Sequence, residues 1–249
     1  MLETFSTPMV FAHRGAKNYA PENTIAAFEL AVEQGADAVE LDAKLSADGK
    51  VMVIHDQTVD RTTDGKGKVN QLSLMDLKKL DAGSFFDHRF TGERIPTLDE
   101  VFESVGKKIF INVELTNYAS RNDDLVPLVV DVVKRHGLQR SILFSSFFPI
   151  NLHRAQTLLP EVPVGLLAWD GLLGTINRSS LYLDLSPKIV HPYLTDVNTR
   201  LMEREKKRGR RVHVWTVNEE SDLVKMKEFG VDGVFTDDPV IALRVLRGK

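Results

Sequence analysis

The sequence predicts an α/β protein built as a (β/α)8 TIM barrel, and three observations carry the prediction. Short, nearly continuous apolar runs rich in β-branched residues recur along the chain, the pattern of strands buried on both faces of a parallel sheet. The first three end in groups able to handle a phosphate or a metal: Val10-Phe11-Ala12 leads into His13-Arg14-Gly15, Ala38-Val39 into Glu40-Leu41-Asp42, and Val51-Met52-Val53-Ile54 into His55-Asp56. In an α/β barrel such strand ends share one rim, where active sites are built. The third observation is size, since 249 residues, 43% of them hydrophobic, suit one barrel domain spanning residues 1–249.

The elements follow in order. After the first strand, Asn23 is expected to cap a helix whose apolar residues Ile25, Phe28 and Val32 recur at helical spacing up to Gly35. Only the turn-like Ser46-Ala47-Asp48-Gly49 separates Asp42 from Val51, too short for a crossover helix, so the barrel is expected to be irregular near its second and third strands. From about 57 to 96 the strand-helix rhythm breaks, apart from one amphipathic segment near Leu72 to Leu80, and this stretch reads as a small insertion over the rim. Thr97 then caps a helix from Leu98 to Val105, and Ile109 to Val113 form the strand that delivers Glu114.

A helix carrying Leu125, Val129, Val132 and Val133 ends at His136-Gly137, and the strand Ile142-Leu143-Phe144 leads into Ser145. A helix around Leu152 to Leu159 precedes the strand Val164 to Leu167. The segment from Asp170 to Pro187 has no clear pattern. Ile189-Val190-His191, Val212 to Trp215 and Gly233-Val234-Phe235 supply the last strands, with helices near Thr195 to Arg208 and Glu219 to Phe229 between them. That makes nine strand candidates for eight barrel positions, so one is peripheral.

Composition excludes several classes of function. The formal net charge of -3, with both signs mixed along the chain, points away from nucleic acid and toward a small, mobile substrate. The absence of cysteine excludes disulfides and thiolate metal sites. Met1 to Ser6 lack a basic stretch leading into a long apolar one, and no apolar run approaches the roughly 20 residues of a membrane span, so a cytoplasmic protein without membrane insertion is expected.

The chemistry at the strand ends is read from residue type. Glu40 and Asp42, two apart on a strand, point to the same face and repel unless a cation lies between them. With Glu114 from another strand end they make an all-oxygen ligand set for one hard divalent cation, Ca2+ or Mg2+. His13 and His55 suit a general base and a general acid, in an order the sequence leaves open, each contributing about 10^2 to 10^4-fold. Arg14 is suited to hold a phosphate oxygen. Glu22 and Asn23 serve either as helix-start residues or as site residues. His136 is expected at a helix C-terminus, His88 and His153 in solvent, and the mixed-sign run Glu203 to Arg208 on a solvated face. Phe85-Phe86 and Phe147-Phe148 are expected to pack the insertion rather than wall the site.

These residues together resemble the glycerophosphodiester phosphodiesterase family. The resemblance runs through His13-Arg14-Gly15, Pro21-Glu22-Asn23-Thr24, Glu40-x-Asp42, Asp48-Gly49, His55-Asp56, Glu114, Ser145-Ser146-Phe147, Trp215-Thr216-Val217-Asn218, Asp232-Gly233 and Thr236-Asp237. It implies metal-dependent cleavage of a small-molecule glycerophosphodiester to sn-glycerol 3-phosphate and an alcohol, with water or the glycerol 2-hydroxyl as nucleophile and Trp215 either over the glycerol or in ordinary barrel packing. One position departs from the pattern: the family has Glu-x-Lys where this chain has Glu114-Leu115-Thr116, which leaves Thr116 to offer a hydroxyl near the substrate.

Overall fold

Eight strands close into a parallel barrel, in a computed structural model that describes residues 6–118, 123–178 and 188–248. They are β1 (Met9–Ala12), β2 (Ala38–Leu45), β4 (Phe110–Leu115), β5 (Ile142–Ser146), β6 (Val164–Ala168), β7 (Ile189–Pro192), β8 (Arg211–Val214) and β9 (Gly233–Thr236). β1 pairs with both β9 and β2, which closes the eight into a barrel. The ninth strand, β3 (Val51–Val53), is the peripheral one: it pairs antiparallel with the far end of β2, Ala43 opposite Val53 and Leu45 opposite Val51. A turn of a few residues permits only this hairpin return, because a parallel neighbour needs a crossover. His55 therefore reaches the rim on a strand descending from above it, and not from the end of a barrel strand.

Helices α1 (Ile25–Glu33), α3 (Leu98–Val105), α4 (Leu125–His136), α5 (Pro149–Leu158), α6 (Gly171–Asn177), α7 (Thr199–Lys207), α8 (Glu220–Phe229) and α9 (Pro239–Arg247) lie between and after the strands, and α2 (Leu74–Leu77) lies in the stretch 57–96. α3 begins as expected: Thr97 and Glu100 form a reciprocal capping box. α1 does not, since its cap is Thr24, whose hydroxyl accepts from the Ala27 amide, and Asn23 is turned toward the site. α9 lies beyond the helices read from the sequence; Asp238 caps it and Pro239 opens it. Of the unpatterned segment, 179–187 lies outside the described residues, as do Met1 to Phe5.

Strand alternation sorts the core into layers. Outward residues such as Val39, Leu41, Ile111, Val113 and Phe144 bury against Phe28 of α1, Leu98 and Phe102 of α3 and Val129 of α4. A second group joins Val10, Val190, Val212, Val214 and Val234 to α7, α8 and α9. The barrel floor is closed from inside by Met9, Phe11, Ala38, Phe110, Leu143, Ile189 and Phe235. Above it His191 and His213 stack 5.3 Å apart; burial lowers both pKa values, that of His191 to about 3, and keeps the rings neutral. Gly165 makes room for the His191 ring, since a Cβ there would lie 2.5 Å from its Nε2.

Residues 57–96 carry their own apolar knot of Val59, Val69, Leu77, Ala82 and Ile95 against Met52 and Ile54. Among the described residues no helix is long and apolar enough to cross a membrane. Two sequence expectations are corrected here. Glu205, in the run expected to be solvated, is fully buried and pairs with Arg204, Arg208 and Arg210, because the turn at Gly209 folds Arg210 back over the helix. Phe147 packs against Trp169, ring centroids 4.8 Å apart, while Phe86 packs with Phe90.

Candidate active site

The strand ends converge on a cavity of about 100 Å³ whose wall includes His13, Arg14, Glu40, His55, Glu114 and Trp215. A larger hollow, about 730 Å³, lies between α6 and α7. It contains none of the strand-end groups, so chemistry and not volume selects the smaller cavity.

His13 follows β1 and its Nδ1 meets Asp237 Oδ1 at 2.7 Å, just past β9. Asn218 grips that carboxylate by donating Nδ2–H to Oδ2 and accepting the Asp237 amide, and Lys17 Nζ lies 3.1 Å from Oδ1. Burial raises the Asp237 pKa, but His13 and Lys17 outweigh it and hold the group at about 2. Burial lowers the His13 pKa despite Asp237, so the imidazole is neutral near pH 7, with Nδ1–H spent on the carboxylate and the Nε2 lone pair available.

Arg14 adopts a left-handed backbone, φ 59°, which aims its amide at Glu40 Oε2, 2.9 Å away. Such a conformation costs a non-glycine residue about 1–3 kcal/mol and persists where surrounding contacts impose it. Gly15 follows at φ 83°, where a Cβ would lie 2.7 Å from Ala27, so only glycine lets α1 approach this closely. The Arg14 guanidinium lies 2.9 Å from Glu22 and 3.5 Å from Asp42. Asn23, at φ 57°, donates Nδ2–H to Asp42 Oδ2 at 2.9 Å. Glu22 and Asn23 are thus joined to the site residues through direct bonds.

Register brings the carboxylates together: Asp42 on β2 stands opposite Glu114 on β4, and Glu40 opposite Asn112. One oxygen from each of Glu40, Asp42 and Glu114 lies within 4.8 Å of the others. Burial, reinforced by Asp42 and Glu114, pushes Glu40 well above its usual range, and burial with Asp42 pushes Glu114 up to about 8. Asp42 shifts the other way; burial opposes its charge, but Arg14, His55, Asn23 and Lys44 outweigh burial. Tyr118 donates its hydroxyl to Glu114.

His55 has a different support. Its Nδ1 meets Asp56 Oδ1 at 2.6 Å, and Arg61 bridges Asp56 to Glu22 with Nε and Nη contacts of 2.7 Å. Glu22 binds Arg14 in turn, so a chain of alternating charges ties the His55 hairpin to β1. Trp215 donates Nε1–H to the His191 carbonyl and stands edge-on to Phe147. Thr116 is 2% exposed; its hydroxyl donates to the Ala43 carbonyl and accepts from Lys44 Nζ, each at 2.7 Å. Sequence reasoning did not single out Lys44, Tyr118, Arg61, or the partnership of His13 with Asp237. Lys44 continues the Glu40, Asp42 alternation and was legible; Arg61, in an irregular loop, gives no signal.

Comparison with known proteins finds relatives along nearly the whole chain. The model of the glycerophosphoryl diester phosphodiesterase family matches residues 13–241. A glycerophosphodiester phosphodiesterase of Caldanaerobacter subterraneus subsp. tengcongensis is 40% identical over 240 residues, covering 96% of this chain and 98% of that one. One from Bacillus subtilis is 31% identical, covering 96% and 87%. Among solved structures, a phosphodiesterase of Oleispira antarctica in complex with the product sn-glycerol-3-phosphate is similar, with a TM-score of 0.89, 33% identity and 96% of each chain covered. The chain belongs to the glycerophosphoryl diester phosphodiesterase family.

Proposed function

We propose that this phosphodiesterase hydrolyses glycerophosphodiesters to sn-glycerol 3-phosphate and an alcohol in a reaction that requires a divalent cation, with His13 and His55 moving the protons. The observation that carries the reading is the matched outfitting of the two histidines on the wall of one cavity: each holds a carboxylate at Nδ1, which leaves Nε2 for the reacting atoms. The product named in the Oleispira antarctica complex supports the same substrate class.

The donor set fits a hard divalent ion. Glu40, Asp42 and Glu114 offer only oxygens, and the upward pKa shifts of Glu40 and Glu114 come first from burial and then from repulsion by the neighbouring carboxylates, a repulsion that a cation relieves. When bound, Ca2+ or Mg2+ supplies Lewis-acid chemistry at a phosphoryl oxygen. Arg14 neutralises charge developing on the phosphate. His13, neutral and mostly enclosed, takes the proton of the nucleophile at Nε2 as the nucleophile's oxygen bonds to phosphorus. The bond from phosphorus to the alcohol oxygen breaks, and His55 gives that oxygen a proton. Its side chain is 42% exposed, which suits a group that regains its proton from water between turnovers.

Phosphorus NMR with glycerophosphocholine and glycerophosphoethanolamine tests the reading. Glycerol phosphate is expected with Ca2+ or Mg2+ and not with chelator; a transient cyclic phosphate identifies the glycerol 2-hydroxyl as nucleophile, and its absence favours water. Turnover undiminished by chelator contradicts the metal assignment.

A second reading, a lysophospholipase D-like activity, has one specific observation behind it. Phe147 on the cavity wall stacks on Trp169, which is 40% exposed, and Leu172, Leu173 and Ile176 of α6 follow, all exposed. Such a surface accepts an acyl chain. A lysophospholipid cleaved faster than glycerophosphocholine favours this reading, and Leu173→Glu then slows only the lipid.

A further inference from the structure

Lys44 is a buried cation that the proposed chemistry leaves without a task. It follows Glu40 and Asp42 on one face of β2, and the register that sets Ala43 against Leu115 puts it opposite Thr116. The side chain is held in one place. Nζ donates to Thr116 Oγ1 at 2.7 Å and to the Thr116 carbonyl at 3.2 Å. Because Thr116 gives its own hydroxyl hydrogen to the Ala43 carbonyl, the oxygen turned toward Lys44 can only accept. Threonine at 116 is therefore a seat for an ammonium carried by the neighbouring strand.

The seat is unusual in what it lacks. Lys44 is 6% exposed, yet among the described residues no carboxylate oxygen lies within salt-bridge reach of Nζ, and two of its three N–H groups go to neutral oxygens. The charges it senses lie farther off, on Asp42, Glu114 and Asp56, and the Tyr118 ring stands 5.9 Å from Nζ. A buried charge without a paired counter-charge is costly, so one that is kept calls for a use. Asp42 and Glu114 are proposed cation ligands, so a bound cation would take up the negative charge Lys44 now senses and leave the ammonium favouring an anion.

We propose that Lys44, seated on Thr116, is a specificity-determining charge of the site: it draws the phosphate ester in and opposes excessive affinity for the divalent cation. The proposal rests on the phosphodiesterase reading above, and its test has a sign that a merely structural role does not produce. Removing a nearby positive charge strengthens cation binding and weakens anion binding. Loosening the barrel weakens both.

The test is calorimetry on the full chain and on Lys44→Met, titrating Mg2+ into the metal-free protein and sn-glycerol 3-phosphate into the Mg2+-loaded one, with phosphodiester turnover alongside. For Lys44→Met the expected result is Mg2+ binding about three- to tenfold tighter, glycerol phosphate binding weaker by about tenfold or more, and a raised KM. Lys44→Met/Thr116→Lys, which moves the cation to the facing strand, is expected to recover much of the glycerol phosphate affinity. Both affinities unchanged, or both weakened, overturns the proposal. Turnover by the parent with either of those results overturns the Lys44 proposal alone; no turnover and no glycerol phosphate binding by the parent overturns the phosphodiesterase reading with it.

Discussion

His13 and His55 are the same residue type with the same kind of partner, set in two unlike parts of the molecule. His13 ends a barrel strand, its side chain is 15% exposed, and its carboxylate partner belongs to the adjacent strand end, 224 positions away in sequence. His55 ends a short hairpin strand outside the barrel, its side chain is 42% exposed, and its partner is the next residue. The first is held by the closure of the barrel, the second by a chain of surface charges through Arg61 and Glu22. On the proposed roles, the more enclosed setting suits the base, which has to stay neutral, and the open one suits the acid, which has to regain its proton from water.

The largest expected effects come from removing the histidines themselves. His13→Ala and His55→Ala should each lower kcat for a glycerophosphodiester by about 10^2 to 10^4-fold, with the metal affinity measured by calorimetry unchanged. Equal activity in either variant and the parent would remove that histidine from the chemistry. Replacing the partners should cost less: Asp237→Asn and Asp56→Asn each lose a charge-assisted hydrogen bond worth about 1.5–3 kcal/mol, roughly ten- to a hundredfold in kcat/KM. Because the Asp237 side chain is 13% exposed and that of Asp56 is 29% exposed and shared with Arg61, the Asp237 variant should be the more damaged of the two.

pH separates the two regions further. A base must be unprotonated, and His13 lies below its ordinary value of 6.5, so the acidic limb of kcat/KM should have its midpoint below 6.5. Asp237 raises the His13 pKa against burial, so Asp237→Asn should move that limb to still lower pH, whereas a limb moving upward contradicts the pairing. A smaller effect concerns the carboxylates between the histidines. Glu40 and Glu114 are raised in the folded chain, Glu114 to about 8 from 4.5, so the metal-free protein loses stability as pH climbs through that window. A divalent ion replaces those protons, so the gain in Tm on adding Mg2+ should grow between pH 5 and about pH 8.

Sequence pattern alone was a good guide to the barrel because its strands are buried on both faces and its helices on one, and both leave a period in the chain. Glu40, Asp42, Glu114 and His13 were legible for the same reason: polar groups at the ends of apolar runs stand out. The hairpin origin of His55 was half legible, in a connection too short for a crossover, but which of nine strands stood outside depended on pairing that no local pattern encodes. Lys44 lay on the legible face of β2, but its seat on Thr116 depends on the pairing of β2 with β4; Asp237 meets His13 only because the barrel closes, and Arg61 meets Glu22 across two irregular segments. Glu205 was misread because the arginine that covers it, Arg210, lies beyond the helix end.

The division of labour between the two histidines is the central claim, and leaving-group dependence tests it most directly. Parent, His13→Ala and His55→Ala would be assayed on glycerophosphocholine and on a glycerophosphodiester with a p-nitrophenol leaving group, which needs no proton to depart. The account predicts that the His55→Ala deficit largely disappears with p-nitrophenol while the His13→Ala deficit persists. Equal deficits on both substrates, or rescue of His13→Ala instead, would contradict it.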